Sequence, residues 1–501
     1  MILNIKGDLS RYYAESLTLL FFPGSKFPED STLDTDKITV TVNVQKTDDT
    51  AYGKVIIEDD SGKHCEAEYT VPDSVAVGIS DEMRLKLASG GAMLKAGEEY
   101  TGVFPPWGML TGVRPAKMAA EFLGKGLSSD ECEKRLADTF LCRPEKAKLA
   151  VMTAETEAVY ITEKARKECS VYMAIPFCPS KCSYCSFVSF TSKRLLSLIP
   201  DYLAALAVDI REKFDIISRL GLRVSTVYIG GGTPTVLTAS QLEFLLSTIS
   251  SCTDISKLDE FTLEAGRPDT ITEEKMKVAY EYGVTRVSVN TQTLNDAVLK
   301  EIGRAHNADD FFMAYSIAKK SGIKDINVDL IAGLPGESSE SFAMSLDRVC
   351  RLDPTNITVH TFYAKRAAEV VKNNKEIYRL ADIETTAAVE YSQRKLISEG
   401  YVPYYMYRQK NTVANLENVG YSKPGHEGIY NIMMMDEIHS VFGSGASAMT
   451  KLVSRDPSNM KIVRICEPKY PYEYLDGYNE ENGILRRAHL RSETEKFYCI
   501  Y

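Results

Sequence analysis

The sequence predicts an α/β protein: a partial barrel of six β/α units, with an α+β segment before it and another after it. Three observations carry this. From about residue 170, short β-branched runs alternate with amphipathic stretches, the rhythm of parallel β/α units. Ahead of them, strict period-two alternation marks half-buried strands. The length, 501 residues, allows two to four domains at about 100–200 residues each. Six units suit a partial barrel better than an eight-fold one, and an open doubly wound sheet is the alternative. The expected boundaries are 1–165 for an N-terminal α+β domain, 166–370 for the barrel and 371–501 for a C-terminal α+β domain.

In the first segment, Ile38–Val44 alternates and Thr47–Thr50 turns the chain into Tyr52–Glu58. Ser61-Gly62 turns it again toward His64–Tyr69, which predicts an antiparallel meander. A helical pattern starts at Asp81, with a break expected at Gly90-Gly91. Ser128-Ser-Asp-Glu131 is a helix-start signal. No catalytic constellation is visible here. The barrel strands are read as Val171–Ile175, Val224–Ile229, Phe261–Glu264, Arg286–Val289, Ile326–Ile331 and Ile357–Thr361. Ser240–Ser250, Glu273–Tyr282, Asp309–Ser321 and Ser338–Leu352 are the amphipathic stretches between them. A helix over Ala381–Glu399 and a Tyr-rich segment, Tyr401–Asn411, follow.

Lys+Arg is 59 and Asp+Glu 69, a net charge of −10, which disfavours broad binding to nucleic acid. The N-terminus lacks the pattern of a signal peptide, and no apolar run suits a membrane span. A cytoplasmic location is expected, where clustered cysteines bind metal or catalyse rather than pair. Eight of the eleven cysteines are scattered; Cys178, Cys182 and Cys185 fall within eight residues.

Those three have C-x3-C-x2-C spacing, directly after an apolar strand. Three soft thiolates on one short loop suit one corner of an iron–sulfur cluster. With no fourth cysteine and no histidine nearby, one iron stays open to an outside ligand. Structural zinc, the metal alternative, asks for four ligands. Polar residues follow in order. Gly230-Gly231-Gly232-Thr233-Pro234-Thr235 comes after the second strand, where glycines let a ligand approach the backbone. Glu264, Gln292 and Asp329 fall at or near strand ends, and Arg304 lies on the helical segment after Gln292. Singly, each reads as a cap or a solvated charge. Together they read as one site at the mouth of a β/α barrel.

These motifs resemble the radical S-adenosylmethionine (SAM) enzymes. More narrowly, the chain resembles the oxygen-independent coproporphyrinogen III oxidases and their HemZ-type coproporphyrinogen dehydrogenase branch. That likeness rests on Ile175-Pro-Phe-Cys178, the GGGTPT loop, Glu264-Ala-Gly-Arg-Pro-Asp269, Ile302-Gly-Arg-Ala-His306, Asp329–Gly336 and Leu110–Pro115. It implies a radical SAM barrel holding a [4Fe-4S] cluster on Cys178, Cys182 and Cys185. It places Tyr172 and Tyr184 beside SAM, and Gly231, Gly232 and Thr233 at the methionine part. Glu264, Gln292, Arg304 and Asp329 hold the other polar groups of one or two SAM molecules, and Ala364 lies against adenine. The C-terminal domain covers the substrate.

The implied activity is oxidative decarboxylation of two coproporphyrinogen III propionates to vinyl groups, giving protoporphyrinogen IX for haem. No protein general base is required, so no catalytic side chain is assigned. The implied partners are the tetrapyrrole, an electron donor such as flavodoxin or ferredoxin, and an electron acceptor. For the substrate, Lys365, Arg366, Arg408 and Lys410 are candidate cations, and Tyr404, Tyr405 and Tyr407 candidate walls. The alternatives are a haem-binding chaperone, with His426 as a candidate axial ligand, and a radical methyltransferase that acts on haem. Ala174 stands where many relatives carry histidine, and Phe187 replaces a small residue; both departures bear on the substrate side.

Overall fold

The computed structural model describes residues 1–28, 38–46, 50–76, 78–112, 114–362, 375–409, 415–478 and 480–498. By internal packing the chain divides into two units. One comprises Met1–Glu155, Thr361–Val389 and Met406–Asn418; the other comprises Thr156–His360, Glu390–Tyr405 and Val419–Tyr501.

The first unit holds a four-stranded sheet of β1 (Ile2–Lys6), β2 (Ile38–Lys46), β3 (Ala51–Asp59) and β4 (His64–Thr70), in that order. The expected meander is there, since β2–β3 and β3–β4 are antiparallel. β1 adds a parallel edge beside β2. Val40, Val42, Val44, Val55 and Ile57 are buried on one face. The helix Asp81–Thr101 covers that sheet. It runs unbroken through Gly90 and Gly91, contrary to the expected break. Both glycines serve close packing: a Cβ on Gly91 would lie 2.3 Å from the Tyr69 ring, and one on Gly90 2.7 Å from Met109 Sδ. The missing side chains let neighbours pack closely, which offsets the poor helix propensity of glycine. The helix Ser129–Phe140 starts with the capping box that Ser128 and Glu131 announce.

This unit also explains why Arg408 is no propionate cation. Its side chain is buried, donates to the carbonyls of Leu110 and Asn415, and lies over the Trp107 ring. Nearby, buried Glu417 accepts from both Trp107 Nε1 and Lys146 Nζ. Lys365, Arg366, Lys410 and Ala364 lie outside the described residues.

The second unit is built on the β/α core. Its strands are β5 (Glu168–Ile175), β6 (Arg223–Gly231), β7 (Glu260–Leu263), β8 (Arg286–Ser288), β9 (Asp325–Ala332) and β10 (Asn356–Thr361). They lie side by side in sequence order, and β5 to β9 pair in parallel. Helices including Ile199–Arg219, Ala239–Cys252, Glu273–Glu281, Ala308–Lys320 and Ser339–Cys350 connect them. Val171, Val227, Phe261, Val287 and Val328 are wholly buried, and nearly every residue of β5 to β9 is shielded, as a helix-covered parallel sheet requires.

Further strands continue the six-strand run at both ends. β12 (Glu417–Ser422) pairs antiparallel with β10, with β11 (Val402–Arg408) beyond it. On the other side β13 (Ser440–Ser444) lies parallel to β5, followed by antiparallel β14 (Met449–Val453) and β15 (Ile462–Cys466). Among the described residues no helix is long and apolar enough to cross a membrane.

Candidate active site

The site forms where β5 to β9 reach their C-terminal ends. After β5 the chain enters the cysteine loop, tied down by backbone hydrogen bonds. Cys178 N–H donates to the Phe190 carbonyl at 3.1 Å, and Ser183 N–H to the Ile302 carbonyl at 3.0 Å. Cys178 and Cys182 are buried and Cys185 is half-buried. Burial pushes the Cys178 and Cys185 thiols up, and each is also raised by the neighbouring Cys182 sulfur. Among the described residues, no three His, Cys, Asp or Glu side chains converge on a single-ion position, as zinc would ask. Three thiols set around one loop fit a multi-iron cluster, in which each thiolate grips a different iron.

The glycine run presses against this loop. Gly231 has φ +108°, which glycine adopts freely. A Cβ on Gly232 would stand 2.6 Å from the Phe177 carbonyl and 2.9 Å from Cys178 Sγ. The N–H groups of Gly232 and Thr233 donate to the carbonyls of Ile175 and Phe177, both at 2.8 Å. They are therefore committed to the loop. The Thr233 carbonyl accepts from Val236 N–H at 2.9 Å, so the Gly232 carbonyl is the candidate acceptor for an ammonium. Thr233 Oγ1 lies 3.3 Å from Cys178 Sγ.

The other expected residues form three groups. Glu264, just past β7, accepts from the Tyr228 hydroxyl. Tyr172 and Tyr228 are register partners on β5 and β6, and their rings stack at 6.0 Å. Tyr430, at the start of the helix Ile429–Asp436, stacks on Tyr228 at 4.4 Å. Burial lifts the Glu264 carboxyl to about 7, and nearby Asp329 adds to this; the Tyr228 hydroxyl, Gly231 N–H and His360 pull it back. Asp329, within β9, accepts from Asn327 Nδ2 at 2.7 Å and has His360 Nε2 at 3.8 Å. Arg304 lies in the turn before the helix Ala308–Lys320. It donates to the Tyr184 hydroxyl at 2.7 Å and to the Asn290 carbonyl at 3.3 Å.

Gln292 holds an unusual backbone, φ +74°, with its N–H and C=O both paired to β9. Among the described residues its buried Oε1 has no hydrogen-bond partner. A bound group that donates there would satisfy it, since an orphaned buried acceptor costs about 1–3 kcal/mol.

The sequence alone assigns Tyr228 and His360 no role at the site. Their signal was strand parity: Tyr228 stands opposite Tyr172, and His360 lies on β10 beside β9. Arg267 stands in the Glu264-Ala-Gly-Arg-Pro-Asp269 motif, which by itself assigns it no role. Tyr404 and Tyr405 are buried against Gly420 and Gly428 and offer no open wall. His426 shares a hydrogen bond with Asp325, the first residue of β9. It lies at the opposite end of the strands from the cysteine loop.

A model of the radical SAM superfamily matches residues 172–349. The chain is 39% identical over 385 residues to the oxygen-independent coproporphyrinogen-III oxidase-like protein HemZ of Bacillus subtilis, covering 76% of both chains. This chain belongs to the radical SAM family of oxygen-independent coproporphyrinogen III oxidase-like proteins. It is also 30% identical over 327 residues to the heme chaperone HemW of Bacillus subtilis, covering 64% of this chain and 82% of that one. Among solved structures, coproporphyrinogen III oxidase (HemN) from Escherichia coli is 19% identical with a TM-score of 0.48, over 69% of this chain and 81% of that one. As a radical SAM protein, this family member uses a [4Fe-4S] cluster and SAM. The cysteine loop, the Gly232 carbonyl and the orphaned Gln292 oxygen fit those two groups.

Proposed function

We propose that this radical SAM protein converts propionate side chains of coproporphyrinogen III to vinyl groups, yielding protoporphyrinogen IX. The 39% identity to the HemZ protein supports this most, because it extends well beyond the matched superfamily segment. Each conversion turns a CH2CH2COO⁻ group into CH=CH2 and CO2, releasing one proton and two electrons. One electron leaves with a hydrogen atom taken from the β-carbon; the other passes to an external acceptor.

Cys178, Cys182 and Cys185 hold the cluster in this reading, and the bound cofactors supply a 5′-deoxyadenosyl radical. The chain's own residues position the cofactor. Thr233 and the Gly232 carbonyl beside it meet the methionine part. The Arg304 guanidinium, braced by Tyr184, suits a carboxylate. Glu264 and Asp329 accept hydroxyl or ammonium protons, and Tyr172 packs alongside. A one-electron carrier such as flavodoxin or ferredoxin reduces the cluster.

Anaerobic reconstitution with reductant, SAM and coproporphyrinogen III tests the reading by mass spectrometry. Loss of two CO2 per macrocycle is expected. Stable haem binding without conversion replaces it with a chaperone role, and methyl transfer to haem with a methyltransferase role.

The Glu264 environment adds a pH prediction. Tyr172, Tyr228, Asp329, His360 and Tyr430 face it, and burial holds its carboxyl at about 7. The ionised carboxylate is the stronger acceptor and attracts the cationic cofactor, so SAM affinity in cluster-loaded protein should fall up to tenfold per pH unit below about 7 and level off above it. Glu264→Gln should flatten that dependence. Equilibrium dialysis across pH 5.5–8.5 reads it, and the same slope in both proteins rejects the role. The sign for folding is opposite. A carboxyl raised in the folded state favours folding at low pH, and the contribution fades as pH climbs through about 7.

A further inference from the structure

We propose that Arg267 sets the reduction potential of the cluster from outside its ligand set, by donating to the Cys182 sulfur. The guanidinium is almost wholly buried, with 3% of the residue exposed. Its Nη1 lies 3.8 Å from Cys182 Sγ, within reach of a hydrogen bond to sulfur. The same nitrogen lies 3.1 Å from the Ser180 carbonyl and 2.9 Å from the Ser180 hydroxyl, so its two hydrogens are shared among three acceptors. One charged fork therefore grips the segment between the first two cysteines and also addresses a ligand sulfur. Nε and Nη2 bind the Asp269 carboxylate at 3.1 and 3.3 Å, which fixes the plane of the fork.

The local chain builds this placement. Gly266, at φ +60°, turns the chain after β7, and its N–H donates to the Ser288 carbonyl at 2.8 Å. Thr270 N–H and Oγ1 both donate to the Arg267 carbonyl. The backbone is held on both sides, so the guanidinium is aimed before any cluster binds.

Hydrogen bonds and positive charge at a cluster sulfur stabilise the reduced state, which carries one more electron. Burial keeps water from screening that effect. Arg267 thus raises the potential, and Asp269 moderates it. The argument needs only the cluster on its three cysteines and is independent of the tetrapyrrole.

The test is a redox titration of reconstituted protein without SAM, followed by electron paramagnetic resonance of the reduced cluster. Arg267→Met should make reduction at least tenfold less favourable, a midpoint about 59 mV more negative for a one-electron couple. Arg267→Lys keeps the charge but not the fork and should fall between. Asp269→Asn removes the opposing charge and should shift the midpoint the other way. A merely structural role predicts altered cluster loading and thermal stability with an unmoved midpoint. If Arg267→Met fails to load, the other two variants decide. Midpoints equal to the parent in every variant that loads overturn the proposal.

Discussion

Replacing Cys178, Cys182 or Cys185 singly by Ala should reduce bound iron and sulfide to background and abolish SAM cleavage. Each thiol occupies its own place on the loop. Cys178 is held by Phe190 and faces Thr233; Cys182 faces Arg267; Cys185 N–H donates to the Cys182 carbonyl at 3.2 Å. No spare cysteine stands on this loop to take over. With a cluster bound, loss of one thiolate would leave an iron without its protein ligand. Cys252→Ala and Cys466→Ala serve as controls, since these residues lie on another helix and on the edge strand β15. Iron and sulfide analysis after reconstitution checks the result. A Cys178→Ala protein that kept its absorbance and still cleaved SAM would sink the assignment of the cluster.

Lys213→Met should cost about 3–5 kcal/mol of stability in the second unit. Lys213 lies on the helix Ile199–Arg219, wholly buried, with Asp209 at 2.8 Å and Glu467 at 3.0 Å. Burial alone would lower its pKa, but the two carboxylates outweigh that and keep the ammonium charged. Asp209 Oδ2 further accepts from Gly445 N–H at 3.0 Å and from the Tyr474 hydroxyl at 2.9 Å. Glu467 also pairs with Arg486. The network ties that helix to the turn after β13, the segment past β15 and two C-terminal helices. Removing the ammonium leaves the buried Asp209 without its cation, facing the neutral donors Gly445 N–H and Tyr474 hydroxyl. Urea unfolding, followed by a signal from this unit, should show a clearly lower midpoint. Adding Asp209→Asn should recover part of the loss, because the uncompensated charge goes with it. An unchanged midpoint in the single variant contradicts the account.

Much of the site was legible because its chemistry is local. Thiol spacing from Cys178 to Cys185 needs only a short loop after a strand. Glu264 and Gln292 follow their strands by one and four residues, so chain order already carried them to one end of the sheet. The meander pattern named β2 to β4 and the β-branched runs named β5 to β10, with small shifts at their ends.

The sequence by itself thus determined the β/α order, the place of the cysteine loop and the family. Only the tertiary structure decided what depends on partners distant in the chain. Arg408 looked available until its carbonyl partners and Trp107 closed around it. Gly90 and Gly91 looked like a break until Met109 and Tyr69 took up the space a side chain would need. β13 to β15 could not be assigned to the same sheet as β5, because parallel pairing of β13 with β5 spans some 270 residues. Arg267 read as one basic residue in a loop; its guanidinium reaches Cys182 only because β5 and β7 carry their loops to the same end. The physical reason is common to all four. Periodicity and spacing record which face or turn a residue occupies, whereas burial, pairing and hydrogen bonding depend on which distant residue arrives opposite it.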